Sequence, residues 1–170
     1  MRSSKTPIFL ALLLLVFPVA AFAQTYSVNL LGTNETSNCD PDGTGSATVV
    51  FNGTLVTYTI NVANIAPPTA QHIHIGAAGV DGGVVIGLPG TWTGNTLVGT
   101  TNGDPAVIAA IHANPAGYYL NVHNGPCPGG AVRGQLVFQS AATSIPTFSG
   151  GILLLLVAVL GVAGLIALKR

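Results

Sequence analysis

The chain has 170 residues, of which 49% are hydrophobic and only 6% charged. An ordinary soluble domain carries about a quarter charged residues. Four of the five basic residues (Arg2, Lys5, Lys169, Arg170) lie near the ends. Residues 24–144 therefore keep Arg133 alone against Glu35, Asp40, Asp42, Asp81 and Asp104, a net charge of −4 with neutral histidines. An acidic middle without a basic patch excludes nucleic acid as an electrostatically bound partner.

Residues 1–23 read as a cleavable signal peptide. Arg2 and Lys5 supply a positive start, Ile8 to Val16 an apolar run, and Ala21-Phe22-Ala23 a small-x-small exit. The mature chain is then expected to begin at Gln24, exported from the cytoplasm.

Residues 24–144 alternate apolar and polar side chains with period two, broken by Gly and Pro clusters, the pattern of short strands. Strands are predicted at Tyr26–Leu31, Ala47–Phe51, Leu55–Val62, Ala70–Ile75, Val84–Leu88, Thr96–Thr101, Tyr118–His123 and Ala131–Phe138. Asn52-Gly53 marks a tight hairpin between the second and third. One short helix is predicted, with Asp104 as N-cap, Pro105 at its first position, Val107, Ile108 and Ile111 on one face, and Asn114-Pro115 as its end. About eight short strands with Gly-rich turns imply an all-β domain, a Greek-key-like β-sandwich or barrel. Cys39 follows the first strand and Cys127 precedes the last. If those strands pair antiparallel, the two cysteines meet at one end of the sheet, and export permits a disulfide.

Two histidines stand in Gln71-His72-Ile73-His74-Ile75, and a third ends Tyr119-Leu120-Asn121-Val122-His123. Alternate residues of a strand share a face, so Ile73, Ile75, Leu120 and Val122 mark the core side and His72, His74 and His123 point outward. Two readings follow: polar surface residues bonded to loop backbone, or three imidazoles able to chelate copper or zinc. His112, on the helix, is expected to be exposed and receives no role. No catalytic residue is assigned, because no nucleophile elbow and no phosphate loop occurs. Asp40-Pro41-Asp42-Gly43 reads as a turn, since the other ligands of a calcium loop are missing. Asn34-Glu35-Thr36 and Asn52-Gly53-Thr54 match glycosylation acceptors, relevant in a eukaryotic host.

Residues 145–170 form the last segment. Ile152 to Leu168 is an uncharged run spanning about 25 Å as a helix, followed by the stop Lys169-Arg170. It predicts one transmembrane helix with the basic pair inside and the β-domain outside. Ile145-Pro146-Thr147-Phe148, the apolar run and the basic end resemble the IPTL-CTERM class of bacterial sorting signals. That resemblance implies processing by an exosortase-type membrane protease and transfer of the domain to the surface.

The middle resembles the CHRD (chordin) family along almost its whole length. The carrying stretches are Leu31-Gly32-Thr33-Asn34-Glu35, Gly45-Ser46-Ala47-Thr48-Val49, Ala70 to Gly76, Tyr119 to His123, and Pro128-Gly129-Gly130-Ala131-Val132-Arg133-Gly134-Gln135-Leu136. The resemblance implies an extracellular module. Glu35 and Arg133 match its recurrent acid and base, and a structural ion pair is expected between them. Gly45 to Ile75 is also similar to the opening of copper–zinc superoxide dismutase, with His72, His74 and His123 matching copper ligands. Its zinc ligands have no counterpart, since Gly76 to Gly90 contains no histidine.

Taken together, these features lead to the expectation of a non-enzymatic binding or structural module at the cell envelope, with an unnamed protein or polysaccharide ligand and a membrane tether. The second reading is a copper-binding protein, with redox chemistry at most, built on the three histidines.

Overall fold

A computed structural model describes residues 23–140. The expected signal peptide, transmembrane helix and sorting motif Ile145, Pro146, Thr147, Phe148 lie outside the described residues. Among the described residues, no helix is long and apolar enough to cross a membrane.

The strands are β1 (Gln24–Leu31), β2 (Thr44–Asn52), β3 (Leu55–Ala63), β4 (Pro68–Ile75), β5 (Val84–Gly87), β6 (Thr96–Asn102), β7 (Tyr118–Asn124), β8 (Val132–Gln135) and β9 (Val137–Gln139). They form one sheet in the order β5-β4-β7-β8-β1-β2-β3-β6, with β9 continuing alongside β1. The sheet rolls nearly closed, leaving β5 and β6 as its ends. The connections β3 to β4, β5 to β6 and β6 to β7 pass from one half to the other, as in Greek-key folds. The last predicted strand is divided in two: β8 meets β1 at Leu31 and Arg133, and β9 pairs Tyr26 with Phe138. Leu136, between them, turns inward and is buried.

Strict alternation builds the core. Tyr26, Val28 and Leu30 on β1 face the interior with Val49 and Phe51 on β2 and Val56, Tyr58 and Ile60 on β3. The hairpin turn sits one residue later than Asn52-Gly53. Asn52 pairs with Leu55, so Gly53-Thr54 is the loop, and Gly53 takes φ +59°. That left-handed value at the first loop position suits glycine and matches the strand twist.

The helix α1 (Pro105–Ala113) forms where capping chemistry placed it. The Asp104 carboxylate accepts from the backbone N–H groups of Ala106 and Val107, and Ile108 and Ile111 are buried against the sheet. His112 is not the exposed residue expected. Its Nδ1 lies 2.7 Å from the Tyr26 hydroxyl, and the two rings stack. Asp40 to Gly43 is a turn closed by Gly43 N–H donating to Asp40 O at 3.0 Å.

Cys39 and Cys127 form a disulfide, with Cα atoms 5.8 Å apart. Antiparallel pairing of β1 with β8 and β9 brings the loops carrying them to one end of the sheet.

Candidate metal centre

The face of β4, β7 and β8 turned away from the core carries a continuous polar layer. Register places His72 opposite Asn121, His74 opposite Tyr119, and Asn121 opposite Arg133. The sequence reading put this face in solvent, and the structure corrects it. His74 is only 8% exposed, Tyr119, Asn121 and Arg133 are buried, and His72 and His123 are partly buried. Three irregular segments cover the face: the β1–β2 loop, the Gly76–Gly83 loop, and the loop from Gly125 to Ala131. Ile75, expected inside, is 49% exposed. The core side of β4 ends at Ile73, where the pairing with β5 slips before the chain enters the loop at Gly76.

The three histidines converge. Each offers one ring nitrogen, and these nitrogens lie within 4.8 Å of one another. His72 Nδ1 is 3.2 Å from His123 Nε2. The other nitrogens of two rings are committed. His74 Nδ1–H donates to Gly82 O at 2.9 Å, and His123 Nδ1–H donates to Pro128 O at 3.0 Å. A backbone carbonyl on one ring nitrogen fixes the tautomer and turns the lone pair of the other toward a metal. His74 Nε2 is buried and has no hydrogen-bond partner among the described residues. Burial, and then the neighbouring imidazoles, hold the His72 pKa below its ordinary value. Burial also lowers that of His123, against the pull of its bond to Pro128. Neutral imidazoles are the form that ligates a metal.

Beside the imidazoles lies an ionic group centred on the buried Arg133. Arg133 Nε donates to Asn34 O at 2.7 Å, and Nη1 donates to the Asp81 carboxylate at 2.8 Å. The Glu35 carboxylate stands 3.9 Å from Nε, so the acid paired with Arg133 in the sequence reading is the more distant of two. The Arg133 guanidinium lies 4.8 Å from the Tyr119 ring centroid, and Tyr119 stacks on His74 at 5.0 Å with planes 13° apart. Gly130, at φ +144°, lets the backbone pass here. A Cβ on it would lie 2.6 Å from Glu35 Oε1 and 2.7 Å from the Asn121 amide.

A family model described as the CHRD domain matches residues 26–136. The chain belongs to the CHRD family. No curated protein and no solved structure matches it. The CHRD match covers β2 to β8, most of β1 and all three covering loops, so the polar layer lies within the matched residues. Together with the disulfide, it is consistent with an extracellular or exported protein.

Glu35 of this CHRD domain titrates in a testable window. Burial pushes its carboxyl from 4.5 up to about 7, while Arg133 pulls it down and Asp81 adds to the rise. The folded state thus holds the proton more tightly than the unfolded chain. This contribution to stability is complete below about pH 4.5 and is lost as pH rises toward about 7, on the order of 3 kcal/mol in all. The lowered histidines act in the opposite sense, losing stability as pH falls below about 6.5. The comparison with Glu35→Gln isolates the carboxyl. Urea unfolding at pH 5 and pH 8 is expected to show the variant gaining on wild type at the higher pH. Parallel pH dependences in the two proteins would contradict a raised Glu35 pKa.

Proposed function

We propose that this CHRD domain is an exported, non-enzymatic binding module of the cell envelope, and that it holds one copper ion through His72, His74 and His123. Its tether is residues 145–170, and an exosortase-type protease acting near Ile145-Pro146-Thr147-Phe148 releases it to the surface. The observation that carries the metal reading is His74 Nε2, a buried ring nitrogen without a hydrogen-bond partner, on an imidazole that converges with two others.

The donor set favours copper. Three imidazoles without thiolate or carboxylate suit copper and zinc over magnesium or calcium, and among divalent first-row ions copper binds such a site most tightly. The net charge of −4 on residues 24–144 attracts cations. The similarity of Gly45 to Ile75 to the copper–zinc superoxide dismutase family points to the same metal. His72 would bind through Nδ1 and His74 and His123 through Nε2, leaving Gly82 O and Pro128 O to orient the two rings.

The test is elemental analysis of the chain purified after export into an oxidising compartment, loaded with copper and desalted. Near-stoichiometric copper is expected, lost in a His72→Ala/His74→Ala variant that keeps its unfolding transition. Zinc in its place would correct the choice of ion. No retained metal would overturn the reading and return the domain to a protein or polysaccharide partner.

A further inference from the structure

The Gly76–Gly83 loop contains four glycines, at 76, 79, 82 and 83, and much of it is exposed. Glycine loses more conformational freedom on ordering than any other residue, so such a segment does not hold a fixed path by itself. Yet this loop supplies the carbonyl that orients the most buried histidine, through Gly82 O and His74 Nδ1–H. No larger residue can stand at that position. A Cβ on Gly82 would come within 1.6 Å of Ile75 O.

The ends of the loop are held by Ile75 N–H donating to Gly83 O at 3.1 Å and Gln135 Nε2 donating to Gly76 O at 3.0 Å, and the side chain that pins it beside Gly82 is Asp81. The Asp81 carboxylate is 67% exposed, but it accepts from Arg133 Nη1 at 2.8 Å and from Thr36 Oγ1 at 2.7 and 2.9 Å. The hydrogen bond from Thr36, and then Arg133, hold its carboxyl below the ordinary aspartate range. Arg133 is a rigid anchor, 1% exposed and bound through Nε to Asn34 O. Gly82 N–H also donates to the Tyr119 hydroxyl at 3.2 Å, and Tyr119 is the ring on which His74 stacks.

We infer that Asp81 is the positioning residue of the metal centre: clamped by Arg133 and Thr36, it holds the Gly82 carbonyl on His74 Nδ1 and thereby fixes the ring with Nε2 toward the metal. The inference rests on the copper reading above. A carboxylate on the surface thus acts on the site through a single peptide unit, without touching the metal. Outer partners that orient a ligating histidine typically change metal affinity by 10- to 100-fold when removed.

Asp81→Ala is compared with Asp42→Ala, which removes the same charge from the β1–β2 loop, another of the covering segments, and breaks no such clamp. Two readouts separate the claims. Copper affinity by competition with a chelator is expected to fall about tenfold or more in Asp81→Ala and to stay within about twofold in Asp42→Ala. Long-range nitrogen–proton NMR of the metal-free proteins is expected to show His74 as the single Nδ1–H tautomer in wild type and Asp42→Ala, and as a mixture in Asp81→Ala. A wild type that takes up no copper sinks the metal reading alone, since the tautomer spectra still decide the clamp. An unchanged His74 tautomer in Asp81→Ala overturns the inference, and so does an equal loss of affinity in both variants.

Discussion

Replacing Arg133 by alanine is expected to destabilise the domain by about 3–5 kcal/mol, the range found when one member of a buried charged group is removed. For a domain of this size, that lowers the unfolding midpoint by roughly 10–20 °C. The reasons are local and additive in kind. Arg133 is among the largest fully buried side chains, so truncation opens a cavity between Tyr119 and the β1–β2 loop. Its Nε and Nη1 bonds tie that loop, at Asn34, and the Gly76–Gly83 loop, at Asp81, to β8. Both loops lose one of their anchors together. Glu35 is left buried without its countercharge, but a carboxyl already pushed up to about 7 escapes part of this penalty by keeping its proton. The loss is therefore expected to be larger at pH 8 than at pH 5. Arg133→Lys should recover little, because a single ammonium cannot reproduce two divergent bonds from a planar fork. Calorimetric melting at the two pH values checks all of this. An alanine variant within about 1 kcal/mol of wild type would show that the group is an exposed pair in its energetics, despite its burial.

Much of the fold is legible in the sequence because period-two alternation has one physical cause. Val56, Tyr58, Ile60 and Val62 alternate with polar residues since only one side of β3 meets the core, and all four are buried. The helix was readable from chemistry that acts within a few residues, the Asp104 cap and the Pro105 start. The shared outward-from-core face of His72, His74 and His123 was readable as well, while their convergence depends on the β4–β7 pairing, a long-range contact. What escaped was the second layer. Reading Ile73 as inward made His74 outward, and outward was equated with solvent. The signal against that lay in β7, where Tyr119 and Asn121 alternate with Leu120 and Val122 and no charge appears on either side. A strand so built is covered on both faces. The cover consists of loops, whose path depends on long-range contacts that no local pattern reports. Gly82 acts on His74 through its carbonyl and leaves no side-chain trace at all. Asp81 was visible only as one acid among five. Its role follows from meeting Arg133, which is 52 residues away in the chain.

The disulfide carries the other large expected effect. Cys39 and Cys127 are separated by 88 residues, so the bond closes most of the domain into one loop. The chain-entropy cost of that loop in the unfolded state is about 4–5 kcal/mol, of which proteins usually realise about 2–4. A Cys39→Ser/Cys127→Ser variant is therefore expected to lose about 3 kcal/mol while keeping the fold. The two loops have a second tie that survives the substitution. Asn124 Nδ2 donates to Asp40 Oδ2 at 3.1 Å, and Asn124 Oδ1 accepts from Cys127 N–H at 2.8 Å. Because the cross-link acts on the unfolded chain, its removal should also raise the urea m-value, since the freed chain exposes more surface. A lower midpoint with an unchanged m-value would place the effect in the native state instead. The native state has one place where slack would tell. Pro128 follows Cys127, and its carbonyl holds His123 Nδ1–H. If the disulfide also stiffens that loop, the variant should hold the proposed copper ion more weakly than its loss of global stability explains. If Asn124 and Asp40 hold the loop unaided, copper affinity should stay at the wild-type value in the same variant, and the bond would serve the unfolded chain alone.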